Sequence, residues 1–390
     1  MVARRTSITR EGIYYLLVVL FIVASAVFRD ENLLVVVAGL MLGPLFFNWR
    51  LVVSGLRRLE LRRKLPHRIC AGDPLLVEIL AENRRSQLAT CAMEVRDTIT
   101  RVGDRRTERA ATVDVLFPYI GAGQSSGVTY RSRLTQRGRY RLGPLIVSTR
   151  FPFGLLQCCV TLDVSDELIV CPRLGRLSRQ WARLVEAERM GSERSQRRQG
   201  FLEGDYYGLR EWRAGDSPRW IHWRTSAKLS SLAIRQFEQQ RNRDVVLVLD
   251  LWQPESPRLE DQGHVELAIS LAATAVADLC RRGGNRVLLA IAGKQHQTLT
   301  AGSASMLFVK ECLDELAVVE ADSRNRLREL LSRLRIDAQV GARQIIISSR
   351  PMPDELLDIL PQGPAHRPPE RRTWINVSDE HRASQLYQLD

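Results

Sequence analysis

Lysine is nearly missing from this chain: Lys64, Lys228, Lys294 and Lys310 are the only four among 57 basic residues, which leaves 53 arginines. A bias of that kind follows from a GC-rich coding sequence as readily as from a nucleic-acid partner, so the net charge of +13 is weak ground for the latter. Cysteine is sparse and odd in number: the seven thiols at 70, 91, 158, 159, 171, 280 and 312 contain no Cys-x-x-Cys and no pairing with His at metal-ligand spacing. That excludes a zinc ribbon and a disulfide scaffold, and fits free thiols in a reducing compartment. A Gly-x-x-x-x-Gly-Lys-(Ser/Thr) loop is also absent, so the chain is not expected to hydrolyse ATP. No cofactor is expected. What is present, 45% hydrophobic and 26% charged residues, is ordinary globular composition. A length of 390 residues implies two or three domains.

Two runs carry no charge, Ile13 to Phe28 and Leu33 to Phe47, separated only by Arg29-Asp30-Glu31-Asn32. They read as a transmembrane helical hairpin, with helices at about 13–28 and 33–47 inside a segment 1–64. Sixteen helical residues rise about 24 Å, short of a hydrocarbon core of roughly 30 Å, so each span is expected to borrow flanking residues. Tyr14, Tyr15 and Trp49 fall at one face, as interfacial rings do. Arg4, Arg5 and Arg10 precede the hairpin and Arg50, Arg57, Arg58, Arg62, Arg63 and Lys64 follow it, against Arg29 alone in the turn. The positive-inside rule then places both termini in the cytoplasm, the protein being a two-pass resident of the inner membrane. An export signal cleaved near Ala24-Ser25-Ala26 is the competing reading. Gly39 and Gly43 have the spacing for close packing against Ala24 or Ala26, and Pro44 is expected to kink or loosen the second helix.

Residues 65–172 change to period two: Leu75, Val77, Ile79 and Ala81 alternate with Leu76, Glu78, Leu80 and Glu82. Further strands are expected at Met93 to Ile99, Thr112 to Phe117, Gly127 to Leu134, Tyr140 to Ser148, Leu155 to Leu162 and Leu168 to Cys171. Strands of this number and spacing suggest a β-sandwich-like middle domain. Arg150-Phe151-Pro152-Phe153-Gly154 reads as an aromatic corner, or as an aromatic docking edge.

A polar stretch at 173–203 reads as a linker. The segment 204–240 interleaves aromatics with both charge signs and suits neither an amphipathic helix nor a regular strand. Asp205, Leu209, Arg210, Trp212, Gly215, Asp216, Arg219, Ile221, Trp223, Ser226, Ala227 and Lys228 fall, in order and spacing, on Gly-Asp, Leu-Arg-x-(Tyr/Trp), Gly-Asp, Ile-x-Trp and Ser-Ala-(Arg/Lys). In this the chain resembles the bacterial domain-of-unknown-function family number 58. The resemblance implies a membrane anchor, a β-rich domain, this signature, and a von Willebrand A-like domain, often associated with a MoxR-type AAA+ ATPase. The charges of the segment suit a paired network locking it in place or docking a partner. A hydrolytic site built from Asp205, Asp216, His222 and Ser226 is the enzyme alternative. Nucleic-acid binding, suggested by 15 Arg or Lys against 8 Asp or Glu over 173–241, ranks last, since anionic lipid explains the excess equally well.

Residues 241–390 alternate buried strands and helices: Asp244 to Asp250, a helix through Val265 to Leu279, Arg286 to Ala292, helices Ser305 to Val318 and Arg324 to Leu334, Arg343 to Ser349 and Thr373 to Val377. This is the pattern of an α/β doubly wound sheet. The von Willebrand A-like resemblance implies Asp-x-Ser-x-Ser after the first strand, holding Mg²⁺. Here Asp250 is followed by Trp252 and Pro254 where the hydroxyls would stand, so the site is degenerate and no metal is expected. The expectation is a cytoplasm-facing membrane scaffold or adaptor, not an enzyme, whose partners are the bilayer and proteins.

Overall fold

The computed structural model describes residues 3–29, 32–103, 111–185, 206–213, 218, 221–237, 245–282, 286–294, 297–300, 304–337, 343–353 and 372–389. The chain divides into two units, Met1–Arg173 and Leu174–Asp390.

The first unit begins with a strand, β1 (Ala3–Ile8), and two helices, α1 (Arg10–Arg29) and α2 (Asn32–Gly55). At 20 and 24 residues they rise about 30 and 36 Å. Both are therefore longer than the short spans expected from the uncharged runs, because the helices continue through Arg10 and Glu11 and through Asn48 to Gly55. Mean hydropathies of 2.2 and 1.7 make both apolar enough to cross a membrane. The helices meet through small buried side chains, Ala26 and Ala38 with Val19, and the Tyr15 hydroxyl donates to the Met41 carbonyl at 2.8 Å. Gly39 and Gly43 are not at this seam, since a methyl group on either would meet nothing within 4 Å. Pro44 lies inside α2, whose assignment is unbroken.

After the hairpin come β2 (Leu59–Lys64), β3 (Arg68–Cys70), β4 (Pro74–Asn83), β5 (Thr90–Arg101), β6 (Ala111–Ile120), β7 (Ser125–Arg133), β8 (Gly138–Leu142), β9 (Leu145–Thr149), β10 (Leu156–Leu162) and β11 (Asp166–Cys171). Leu75, Val77, Ile79 and Ala81 are fully buried, as their alternation requires. Tyr140 to Ser148 is two strands rather than one: Gly143 sits at φ +113°, with the Val164 carbonyl where a Cβ would be, and Pro144 has no N–H to donate. The strands form an antiparallel sheet in the order β2-β4-β7 and a mixed sheet β1-β10-β9-β5-β8-β11-β3 with β6 on β5. The pair β3–β11 is parallel. Both sheets share one apolar core, which Val52 and Leu56 of the hairpin's last turn and its exit also enter. β1 pairs with β10 over six residues, so cleavage after Ala26 would strip an edge strand from the sheet.

This core encloses an ion cluster. Arg63 and Asp97 have no exposed side-chain surface; Arg63 Nη2 meets Asp97 Oδ1 at 2.6 Å and its Nη1 meets Asp166 Oδ2 at 2.6 Å. The Tyr130 hydroxyl donates to Asp97 Oδ2 at 2.7 Å, and burial beside that carboxylate raises the phenol far above its ordinary range.

The second unit contains β12 (Arg176–Leu177), β13 (Tyr206–Glu211), α3 (Trp223–Leu229), β14 (Ala233–Phe237), β15 (Val245–Asp250), α4 (Leu259–Arg282), β16 (Val287–Ala292), β17 (Gln297–Thr300), α5 (Met306–Val318), α6 (Leu327–Asp337), β18 (Arg343–Ser348), β19 (Arg372–Asn376), α7 (Glu380–Leu386) and β20 (Tyr387–Gln388). Its main sheet runs β17-β16-β15-β18-β19, parallel except at the β17 edge. Val245, Leu247 and Leu249 feed one core with α4 and α5; Val246 and Val248 feed a second with α6. Layers on both faces explain why β15 is apolar throughout. They also explain α4, which is as apolar as a membrane span but 67% buried over its most apolar window. Leu174, Leu177, Trp181, Leu184 and Val185 pack on the first of these cores, so residues 174–185 of the stretch read as a linker belong to the second unit.

Candidate functional site

The signature segment is built on a small antiparallel ladder. β13 pairs with β14 from Tyr206↔Phe237 to Glu211↔Ala233, with a bulge between Tyr206 and Gly208. The ladder is extended by Trp212 N–H to the Leu232 carbonyl at 2.7 Å, by an Ile221↔Ile234 bridge, and by His222 N–H to the Ala233 carbonyl at 2.8 Å. α3 then starts at His222, whose Nδ1 accepts from the Thr225 backbone N–H at 3.3 Å and lies 2.8 Å from Thr225 Oγ1. That is a helix N-cap. Ser226 is buried, and its Oγ accepts from Ala233 N–H at 2.9 Å, tying α3 to β14. Ser226 and His222, the nucleophile and base of the hydrolase alternative, are each held by these local partners.

Leu209 at 37%, Trp212 at 38% and Trp223 at 67% exposure present apolar surface to solvent, joined by exposed Leu229 and Leu232. Lys228 is exposed in the last turn of α3, and Arg210 Nη1 donates to the Glu211 carbonyl. Asp205, Gly215, Asp216 and Arg219 lie outside the described residues.

A second constellation lies where β15 and β18 end. Their neighbours lead to opposite sides of the sheet, which makes the crevice between them a topological switch point, the usual ligand position in open α/β sheets. Asp250 closes β15 with 2% of its surface exposed. Its Oδ2 accepts from Ser348 Oγ at 2.8 Å and from Arg350 Nε at 3.1 Å. Burial raises the carboxyl above its ordinary value, against the pull of Arg350 and Ser348. The Arg350 guanidinium lies 5.0 Å from the Trp252 ring centre and donates through Nη2 to Asn325 Oδ1 at 2.7 Å. Trp252 is fixed in turn: its N–H donates to Ser349 Oγ at 3.1 Å and its Nε1 to the Ser323 carbonyl at 2.8 Å.

The Mg²⁺ implied by the von Willebrand A-like resemblance does not fit these residues. A guanidinium already pairs with Asp250, and Trp252 and Pro254 bring no oxygen from their side chains. Among the described residues, no group of three or more His, Cys, Asp or Glu stands close enough to hold a metal. The sequence reading names Asp250, Trp252 and Pro254 here; Ser348, Ser349 and Arg350, which surround Asp250 and Trp252, carry no motif of their own. Their signal was there: three polar residues directly after a buried Ile-Ile-Ile strand.

Residues 208–354 match the family described as "Protein of unknown function DUF58". The uncharacterized protein YeaD of Bacillus subtilis (strain 168) is 24% identical over 264 residues, covering 67% of this chain and 58% of its own length, so the chain spans little more than half of that relative. Solved structures with likeness include superoxide reductase (neelaredoxin) from Ignicoccus hospitalis, at 15% identity and TM-score 0.20 over 28% of this chain and 79% of that one. Another is beta-glucosidase from Listeria innocua, at 19% identity and TM-score 0.20 over 29% and 16%. At such scores neither carries an argument. The family match, residues 208–354, lies within the second unit, and it is over that stretch that the chain is similar to the DUF58 family.

Proposed function

We propose that the protein is a membrane-anchored, cytoplasm-facing scaffold or adaptor. The hairpin fixes it in the bilayer, and the second unit, von Willebrand A-like in its architecture, engages other proteins, a MoxR-type AAA+ ATPase among them. The observation that carries this reading is the set of exposed apolar side chains in the signature segment, Leu209 and Trp212 at β13, Trp223 and Leu229 on α3, and Leu232 before β14. Large apolar groups concentrated on an exposed segment suit an interaction site. Arg210, Glu211 and Lys228 give the same segment charge of both signs.

The test is crosslinked co-purification from detergent-solubilised membranes. Wild type recovers a protein partner, an ATPase among the recovered chains. Trp223→Ala, at an exposed position, changes stability by no more than about 0.5 kcal/mol and loses that partner. Asp216→Ala is the companion variant. Failure to recover any protein partner in repeated crosslinking refutes the reading.

A further inference from the structure

The foot of α2 meets the β-rich part of its own unit at a cavity of about 40 Å³ whose wall includes Leu51, Ser54, Arg85, Thr90, Cys91 and Phe151. At roughly 10–15 Å³ per water, that is room for about three waters or one compact anion. Arg85 supplies its charge. The residue is 8% exposed. Its Nε donates to Asn83 Oδ1 at 3.0 Å, its Nη1 to the Ser54 carbonyl at 3.0 Å and its Nη2 to Thr90 Oγ1.

All three acceptors are neutral, and among the described residues no carboxylate pairs with Arg85. A guanidinium has five N–H donors, so two are left over. The free carbonyls at the end of α2 offset part of the charge, yet burial still pushes this guanidinium below its ordinary value. A buried cation lacking a counter-charge is costly, and an incoming anion removes that cost.

The surroundings define the anion. Phe151, on the cavity wall, is 42% exposed, and Phe153 beside it is 53% exposed. The Phe153 ring stands 6.4 Å from that of Phe47 on α2, and Phe46 stands 5.9 Å from Trp49 one turn below. Exposed rings gathered where an apolar helix becomes polar belong at the bilayer boundary. A buried cation behind an apolar, aromatic rim suits an amphiphile with a phosphate head. We infer that the cavity seats the phosphate of a membrane phospholipid against Arg85, with the acyl chains along Phe47, Phe151 and Phe153. This rests on α1 and α2 crossing the bilayer.

That premise is tested separately by carbonate extraction of membranes: release of the full chain would remove the premise, and with it the inference. For the retained chain, purified in detergent and delipidated, short-chain phosphatidylglycerol and sodium phosphate are titrated in parallel while Trp fluorescence and melting are followed. Saturable binding of the lipid is expected, about tenfold weaker in Arg85→Gln and equally impaired in Ala89→Leu. Ala89 also lines the cavity, so Ala89→Leu fills it while leaving the guanidinium and its partners in place, and it reports on the site if Arg85→Gln folds poorly. Inorganic phosphate should bind far more weakly than the lipid. Equal affinity for the two, or undiminished lipid binding by Ala89→Leu, overturns the inference.

Discussion

Arg350→Ala should destabilise the second unit, and the deficit should grow with pH. The side chains of Arg350 and Asp250 are 14% and 3% exposed, so solvent screens their pairing little. Removing the guanidinium leaves Asp250 with the Ser348 hydroxyl as its side-chain partner. Stranding one member of a buried pair costs about 3–5 kcal/mol. A neutral carboxyl in the same place loses only its hydrogen bonds, about 1 kcal/mol. The sign follows from the folded-state pKa. Burial already raises Asp250 above its unfolded value of 3.8 while Arg350 pulls it down, so the variant must lie higher still. A folded pKa above the unfolded one gives stability that is present below the unfolded pKa and is lost as pH rises through the folded pKa. The deficit of Arg350→Ala relative to wild type is therefore about 1 kcal/mol near pH 4 and about 3 kcal/mol near pH 8. Native-state hydrogen exchange of the β15 and β18 amides in the full chain, corrected for intrinsic rates, reads the opening of this unit directly. Asp250→Asn combined with Arg350→Ala should cost less than the sum of the two single changes, by about 0.5–3 kcal/mol. A deficit independent of pH, or strict additivity, refutes the pairing as described.

Asp97→Asn should lower the melting temperature of the detergent-solubilised protein, because Arg63, fully buried, then keeps Asp166, 38% exposed, as its counter-charge beside the Leu142 carbonyl; the loss is about 3 kcal/mol and an unchanged melting curve would contradict it. Ser226→Ala should cost about 1 kcal/mol through the lost bond to Ala233 N–H, with no change in labelling by serine-hydrolase probes. Labelling of wild type that vanishes in this variant at intact stability would favour the hydrolase alternative.

Elements whose signal is local were legible in the sequence. The β15 run and the spacing along α4 state their burial residue by residue, and the alternation from Leu75 to Ala81 does the same for β4. What escaped reading depends on distance along the chain. Arg63 finds Asp97 and Asp166 from 34 and 103 positions away, and Asp250 finds Arg350 from 100. No periodicity carries such pairings. β1 escaped for another reason: Ala-Arg-Arg-Thr-Ser-Ile has too few apolar residues to announce a strand, and reads as the basic flank of a membrane helix. Its edge position on β10 supplies the hydrogen bonds instead. The helix ends were misplaced because the uncharged runs report where lipid would lie, whereas α2 continues until Val52 is buried in a protein core. In the signature segment, residue types were legible but not roles. His222 and Ser226 look reactive in one dimension, and their partners turn out to be the backbone of a cap and a strand.

The way the hairpin is stitched into its unit makes a claim about sidedness that does not depend on counting arginines. Ahead of α1, β1 pairs with β10, and the Thr9 hydroxyl donates to the Leu155 carbonyl at 2.9 Å. At the other end, Asn48 Oδ1 accepts from Leu156 N–H at 3.0 Å, and Val52 and Leu56 enter the core shared by both sheets. Entry and exit of the hairpin thus rest on the same short stretch of chain, residues 155–162, which a bilayer between them would forbid. Only an even number of crossings fits, so a reporter ahead of residue 3 and one after residue 173 should share a side, and if the two helices cross as proposed Arg29 lies opposite. Paired fusions of a reporter active in the cytoplasm and one active outside it, placed at those two positions, would show it. Opposite sidedness would mean that one helix does not cross and that the pairing of β1 with β10 does not form in the membrane.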